Sequence, residues 1–156
     1  MNVEIVSSPT FPETMGPYSQ ATRAGQFIFC AGQGGGDPTT GKLVDGGIRE
    51  QTRQAIRNLQ TILEAAGSDL AHVVMLTVLL HDWEYFEAMN EVFEESFGQK
   101  PPARSTIRGE RWPEGALVAM SAIARIKPAQ LSRRKPKKSR TTKIKTKEES
   151  EIDSRN

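Results

Sequence analysis

Long apolar runs and cysteine are scarce in this 156-residue sequence, and each scarcity excludes a class of protein. The longest apolar block, 73–80, is interrupted by Thr77 and is far shorter than the roughly 18 apolar residues of a membrane span. A single cysteine, Cys30, excludes an internal disulfide, which is typical of a reducing compartment. The first residues, MNVEIVSS, lack the basic and apolar regions of a secretory signal. We therefore expect a cytoplasmic protein that does not contact a membrane.

Patterns for metal and phosphate binding are missing as well. His72 and His81 lie nine positions apart, and neither has a cysteine or a second histidine nearby, so we expect structural or surface roles for both. The triple glycine 34–36 lacks the Lys-Ser/Thr pair of a P-loop and precedes no immediate helix. Cys30 ends a predicted strand, where a small buried side chain is expected rather than a nucleophile. The sequence predicts no metal site and no nucleotide-binding loop.

Charge divides the chain into two parts. Residues 1–127 carry 11 Lys and Arg against 15 Asp and Glu, a net charge of −4, whereas residues 128–156 carry 10 against 4, a net charge of +6. The second part has three large aliphatic residues and cannot bury enough surface to offset the ordering of its backbone. We predict a folded domain over 1–127 and a disordered basic tail over 128–156. A solvated extension is favoured over a nucleic-acid contact for this tail, because no aromatic residue interleaves its charges.

Hydrophobic periodicity within 1–127 predicts the element order β-β-α-β-α-β-β. A hairpin is expected to turn at Gly25-Gln26, Asp45 and Asp82 are expected to cap the two helices, and Gly67 is expected to end the first. The segment GQGGGDPTTGKL (32–43) is predicted to be a loop. The predicted strands are 19–24, 27–31, 72–80, 103–108 and 117–126, and the predicted helices are 46–66 and 83–97.

An α+β fold follows from this order, with both helices on one face of the sheet. The opposite face then has no cover within the chain. Strands as apolar as 73–80 and 118–126 argue against a face exposed to water. A homo-oligomer, in which another copy covers this face, is the simpler expectation.

Arg104 is a charged residue at the entry of a strand that is predicted to be buried, within PPARSTIR (101–108). Arginine is rarely buried without a partner. Its planar guanidinium, beside the hydroxyls of Ser105 and Thr106, is suited to holding a carboxylate by two parallel hydrogen bonds. An ion pair within the protein and an anchor for a ligand are both consistent with this chemistry.

Six short motifs give the chain a family resemblance. They are GPYSQ (16–20), FCAGQ (29–33), LEAAG (63–67), MNEVFEESF (89–97), PPARS (101–105) and SAIARI (121–126). Their order and spacing resemble the RidA, or YjgF-like, family of reactive-intermediate deaminases. The resemblance covers about residues 3–127. It implies a chorismate-mutase-like α+β fold with two helices on one face of a mixed sheet, assembled as a homotrimer with ligand clefts between subunits.

The resemblance also implies an activity. Such proteins hydrolyse enamine and imine intermediates, such as 2-aminoacrylate, to a 2-oxo acid and ammonia without a metal or cofactor. Arg104 matches the arginine that binds the substrate carboxylate, and holding this group would place the neighbouring C=N carbon where water can attack. Tyr18 and Asn90 match residues of the cleft, and the backbone of Gly32 matches a position that lines the pocket.

Four positions depart from the family pattern. Thr106 replaces a cysteine and Ala31 a serine in the predicted site, and Ala119 replaces an acidic residue. Ser121 replaces the glutamate that orients the water and moves protons. A serine hydroxyl can hold a water but is a poor base, and general acid–base help typically contributes about 10²–10⁴-fold. Slower turnover or a different substrate is therefore expected, with Arg104, Ser121 and Thr106 as the catalytic positions.

Three functions remain open from the sequence. The first is a deaminase with a weakened or altered acid–base group, for which Glu110 or Glu114 in the following turn could supply a carboxylate. The second is a non-catalytic protein that binds small carboxylic or 2-oxo acids. The third is a protein acting on RNA, since some family members have ribonuclease activity, with the basic tail as the predicted nucleic-acid contact.

Overall fold

A computed structural model describes residues 2–109 and 115–128, which form one mixed sheet and two α-helices. Single turns of 3-10 helix precede the fourth strand and the second helix. In chain order the elements are β1 (Val3–Val6), β2 (Ala21–Ala24), β3 (Phe27–Gly34), α1 (Gly47–Ala65), β4 (Val73–Leu80), α2 (Phe86–Phe97), β5 (Ala103–Arg108) and β6 (Val118–Arg125).

The six strands lie in the order β1-β2-β3-β6-β4-β5. Neighbouring strands are antiparallel except β4 and β5, which are parallel and are joined through α2, as a parallel connection requires. Helix α1 packs on β3 and β6, and α2 lies beside α1 on the same sheet face. The predicted mixed sheet with two helices on one face is confirmed.

The hydrophobic core lies between the sheet and the two helices. Burying each large aliphatic side chain there contributes about 1.5–3 kcal/mol. The large side chains that are fully buried in the strands are Ile28, Leu76, Val78, Leu80, Val118 and Met120, and those in the helices are Leu59, Ile62, Leu63, Met89 and Val92.

The structure corrects three details of the predicted elements. β1 was not predicted, because this four-residue edge strand pairs only with β2 and is largely exposed. The predicted loop 32–43 is wrong at its start, since Gln33 and Gly34 belong to β3 and pair with β6. The Asp45 cap is also wrong, because Gly46 occupies that position with a φ of 100° and no side chain caps the helix.

The other predicted helix signals are confirmed. Gly67, with a φ of 83°, follows the end of α1. The Asp82 carboxylate accepts a hydrogen bond from the Glu84 backbone N–H, and so caps the 3-10 turn that leads into α2.

Polar side chains on the buried side of α1 form hydrogen bonds to the backbone of the triple glycine 34–36 and of the segment before β6. The Asn58 amide donates to the carbonyl oxygens of Gly34 at 3.0 Å and Gly36 at 2.8 Å. Gln51 donates to the Gly115 carbonyl and accepts from the Leu117 backbone N–H, both at 2.9 Å. These bonds position the two chain segments that flank the β3–β6 pairing.

Gly35 packs so closely against α1 that we expect Gly35→Ala to destabilise the fold. A Cβ at this position would lie 2.5 Å from the Gln51 Cβ and 2.7 Å from its Cα. Overpacking of this kind costs about 1–3 kcal/mol in free energy of unfolding, which urea titration measures. Gly32→Ala is the control, since a Cβ there meets no atom within 4 Å. Equal losses of stability in the two variants would contradict this packing argument.

The sheet face opposite the helices presents apolar side chains to the exterior. Leu79 of β4 is 41% exposed and Ile107 of β5 is 50% exposed, and Phe29 of β3 is 43% exposed. The same face carries a row of hydroxyl groups, because Thr77 of β4 pairs in register with Ser121 of β6 on one side and with Ser105 of β5 on the other. We call this the open face.

Some predictions fall beyond the described residues. Residues 129–156 of the basic tail lie outside them, as do Glu110 and Glu114. Within the described ranges, neither α-helix has the length and apolar character needed to cross a membrane.

Candidate functional site

Arg104 is positioned by the pairing of β5 with β4. Its register partner is Leu76, which is fully buried beneath the helices, so Arg104 lies on the same sheet face. Its Nη2 donates to the Asn90 Oδ1 of α2 at 2.7 Å. The guanidinium carbon lies 4.7 Å from the centre of the Phe93 ring and 5.7 Å from that of Phe86, within the range of cation–π attraction.

The guanidinium keeps hydrogen-bond donors available. Within residues 2–109 and 115–128, no ion pair includes Arg104, so the expected alternative of an internal salt bridge is not found there. Because arginine has only donors, Asn90 must present its oxygen, which leaves its NH₂ group to donate elsewhere. Burial lowers the pKa of Arg104 from its ordinary value, but an arginine stays charged in proteins. The pair is suited to an anion.

A pocket of about 400 Å³ opens beside this pair. Its lining comes from α2, from β5 and from the connection between them, which begins at Gly98 with a φ of 54°. Glycine adopts this backbone conformation without the strain that a side chain would add. The lining residues are Asn90, Phe93, Glu94, Gly98, Pro101, Pro102 and Arg104.

Ser121 lies on the other side of the sheet from Arg104. Its neighbours on β6, Met120 and Ala122, are buried beneath the helices, so Ser121 belongs to the open face. The pairing of β3 with β6 shifts between Cys30 and Gln33. This irregularity places Ala31 and Gly32 beside Ser121, with Gly32 exposed.

Tyr18 lies in the segment before β2. Its ring lies against Gly16 and its side chain is 51% exposed. The Thr14 hydroxyl donates to the Tyr18 carbonyl oxygen at 2.9 Å. Two residues later, the Gln20 carbonyl accepts from the Ala31 backbone N–H at 2.9 Å, which ties this segment to the bulge.

The predicted site residues therefore form two clusters within one chain. The arginine cluster lies on the helix side of the sheet, and Thr106 joins it because it is two positions beyond Arg104 on β5. The serine cluster lies on the opposite side, and β4 separates the two, about 10 Å of sheet from β5 to β6. The arginine cluster is Arg104, Asn90 and Thr106, and the serine cluster is Ser121, Ala31 and Gly32, to which the segment of Tyr18 is tied by the hydrogen bond between Gln20 and Ala31.

Neither histidine belongs to these clusters. The His72 Nδ1 lies 2.6 Å from Asp69 Oδ1, and the His81 ring lies 6.4 Å from that of Tyr85. Among the described residues, no three His, Cys, Asp or Glu side chains are arranged to hold a metal ion.

Cys30 is 6% exposed, and burial raises the pKa of its thiol to about 12. We expect the folded protein to react with a thiol reagent at pH 8 at least 100-fold more slowly than the urea-unfolded chain, because the thiolate is the reacting form. Absorbance after addition of an aromatic disulfide measures the rate. Equal rates in the folded and unfolded states would contradict the burial of this thiol.

Sequence reasoning missed part of the arginine cluster's surroundings. Met89 and Phe93 of α2 are buried in the hydrophobic core. Phe86 and Phe93 also support the guanidinium. Glu94 was not singled out, although it follows Asn90 by four positions and so shares its helix face.

Comparisons with known proteins agree with this architecture. The sequence model of the family described as Endoribonuclease L-PSP matches residues 9–126. A RutC family protein of Pyrococcus horikoshii is 46% identical over 121 residues, which span 78% of this chain and 96% of that protein. This chain belongs to the RidA/YjgF family. The human relative named 2-iminobutanoate/2-iminopropanoate deaminase is 39% identical over 120 residues, covering 77% of this chain and 88% of that protein.

Solved structures of RidA/YjgF proteins share the fold. RidA from the Antarctic bacterium Psychrobacter sp. PAMC 21119 is 34% identical, with a TM-score of 0.74 over 79% of this chain and 99% of that one. Escherichia coli TdcF, solved with bound serine, is 28% identical, with a TM-score of 0.74 over 80% of this chain and 99% of that one. The predicted family and the chorismate-mutase-like fold are both confirmed.

Proposed function

We propose that this protein hydrolyses 2-imino acids and their enamine tautomers to 2-oxo acids and ammonia. The observation that carries the proposal is the Arg104–Asn90 pair beside a pocket of about 400 Å³, in which Arg104 forms no ion pair with any described residue. Relatives about 40% identical carry the name of this activity. A carboxylate held there would place the adjacent C=N carbon for attack by water, which is catalysis by positioning.

The proposed cleft needs two copies of the chain. Arg104 and Ser121 lie on opposite sheet faces, so the two clusters of one chain cannot both contact a ligand of a few atoms. We propose a homotrimer in which the arginine cluster of one copy faces the serine cluster of the next, with the open face covered inside the assembly. The apolar Leu79 and Ile107 then leave water on assembly, which supplies the driving force.

Assay of the purified protein tests this function. A dehydratase acting on serine generates 2-aminoacrylate in the cuvette, and formation of pyruvate is followed with and without the protein. We expect faster conversion with the protein present and no requirement for an added metal. A rate equal to that of the buffer control would overturn the proposal.

Ser121 favours a second candidate, a non-catalytic protein that binds small carboxylic acids. A serine in place of the family glutamate removes a base while leaving the Arg104 anchor intact. This candidate predicts that pyruvate at millimolar concentration raises the melting temperature in a protein that shows no turnover. No shift with any small carboxylate would count against both functions.

A further inference from the structure

The residues that line the pocket beside Arg104 include side chains of both charge signs. Arg104 and Asn90 supply donors at one end, and Glu94 lines the same pocket one helical turn further along α2, about 6 Å along the helix axis. Glu94 is exposed to solvent. Among the residues that the structure describes, no cation pairs with its carboxylate. Within the described residues, the pocket lining therefore contains one anionic and one cationic side chain that form no ion pair.

Two neighbouring carboxylates of α2 behave differently. Glu91 forms an ion pair with Arg49 of α1, and Glu95 forms one with Arg53. These two glutamates lie on the side of α2 that meets α1, where they bridge the helices. In the part of the chain that the structure describes, Glu94 forms no ion pair with α1, so it does not help to join the two helices.

The end of helix α2 adds negative potential beside Glu94. The helix ends at Phe97, and Gly98 lines the pocket. Carbonyl groups at a helix C-terminus carry partial negative charge, which favours a cation nearby. One end of the pocket thus favours a carboxylate and the other favours a positively charged group.

We propose that Glu94 is a further catalytic residue, which binds the cationic nitrogen of a substrate whose carboxylate is held by Arg104. This inference rests on the proposed function and narrows its substrate to the protonated 2-imino acid, an iminium carboxylate. The neutral end of the 2-oxo acid product makes no such ionic contact. Loss of the positive charge on hydrolysis therefore weakens binding and favours release of product.

The Glu94 carboxylate also transfers the protons of the reaction. Water attacks the C=N carbon, the π electrons move to nitrogen, and Glu94 accepts a proton from the water to give the neutral carbinolamine. Glu94 returns this proton to nitrogen. The C–N bond then breaks as the hydroxyl loses its proton to Glu94 and becomes the 2-oxo group, and Glu94 passes that proton to ammonia, which leaves as ammonium.

Binding of stable ligands tests the assignment without turnover. L-alanine carries a carboxylate and an ammonium group, whereas L-lactate carries the carboxylate with a neutral hydroxyl. We expect calorimetry to show that wild type binds alanine about tenfold or more tightly than lactate, because a charge-assisted bond is added. Glu94→Gln should abolish this preference, because it should weaken the binding of alanine and leave the binding of lactate unchanged. Glu91→Gln, which removes an exposed ion pair, should change neither affinity.

Kinetics of the same variants test the catalytic part. Glu94→Gln should lower kcat for the 2-imino acid about 100-fold, whereas Glu91→Gln keeps the wild-type rate. Wild-type hydrolysis with an equally active Glu94→Gln variant would overturn the role of Glu94 and leave the proposed function standing. If wild type shows no turnover but prefers alanine over lactate, and this preference is lost in Glu94→Gln, the binding role of Glu94 is supported and the proposed hydrolysis is overturned. If Glu94→Gln weakens the binding of alanine and of lactate equally, the inference is overturned, since this result indicates a structural role for Glu94.

Discussion

Arg104→Ala is expected to lower kcat/KM for 2-imino acids by about 100-fold or more, because two charge-assisted hydrogen bonds to the substrate carboxylate are lost together. Arg104→Lys keeps the positive charge but not the planar pair of donors, and we expect it to recover only a small part of the loss. Steady-state rates of 2-oxo acid formation measure both effects.

Arg108→Ala provides the matched control for this experiment. Arg108 lies on the same strand, is 61% exposed and pairs with Asp82 at 3.2 Å, away from the pocket lining. Its loss should leave kcat/KM within twofold of wild type, since exposed ion pairs contribute little. An Arg104→Ala variant as active as Arg108→Ala would remove the anchor on which the proposed function depends.

Leu79→Asp is expected to prevent assembly and to abolish activity. Leu79 lies on the open face between Ala119 of β6 and Ile107 of β5. A carboxylate there would be desolvated without a partner in the proposed trimer, at a cost of several kcal/mol at each interface. Light scattering coupled to size exclusion should report a trimer for wild type and a monomer for the variant, with product formation at the level of buffer.

Arg57→Asp is the control for the charge change, because Arg57 is exposed on α1, on the side of the sheet that the helices cover. It should remain trimeric and active. Circular dichroism of both variants checks that the fold is retained. A trimeric Leu79→Asp protein would contradict the proposed burial of the open face.

Periodicity in the sequence was sufficient for most of the fold. The helices α1 and α2 and the strands β4 and β6 were predicted to within three residues of their observed ends. The polar Asn58 and Gln51 on the buried side of α1 could not be explained in advance, because their partners are backbone groups of distant segments. β1 lacks any strong pattern, since four half-exposed residues at a sheet edge carry little periodic signal.

The candidate site was only partly predictable for a related reason. The sequence placed Arg104 at the entry of a buried strand, and its chemistry suited a carboxylate of the protein as well as one of a ligand. It did not indicate that Arg104 and Ser121 lie on opposite faces, because that depends on the register of β4 with both β5 and β6. Nor did it distinguish Glu94 from Glu91 and Glu95, which needs the packing of α2 against α1.

The placement of the two clusters on opposite faces has a consequence for mixtures of defective chains. In the proposed trimer, a chain damaged at Arg104 still contributes an intact serine cluster, and a chain damaged at the serine cluster still contributes an intact Arg104. Refolding the two chains together would then produce mixed rings, each with one cleft built from undamaged parts. Two inactive proteins would complement each other in a single tube, whereas a site contained within one chain could never be rescued in this way.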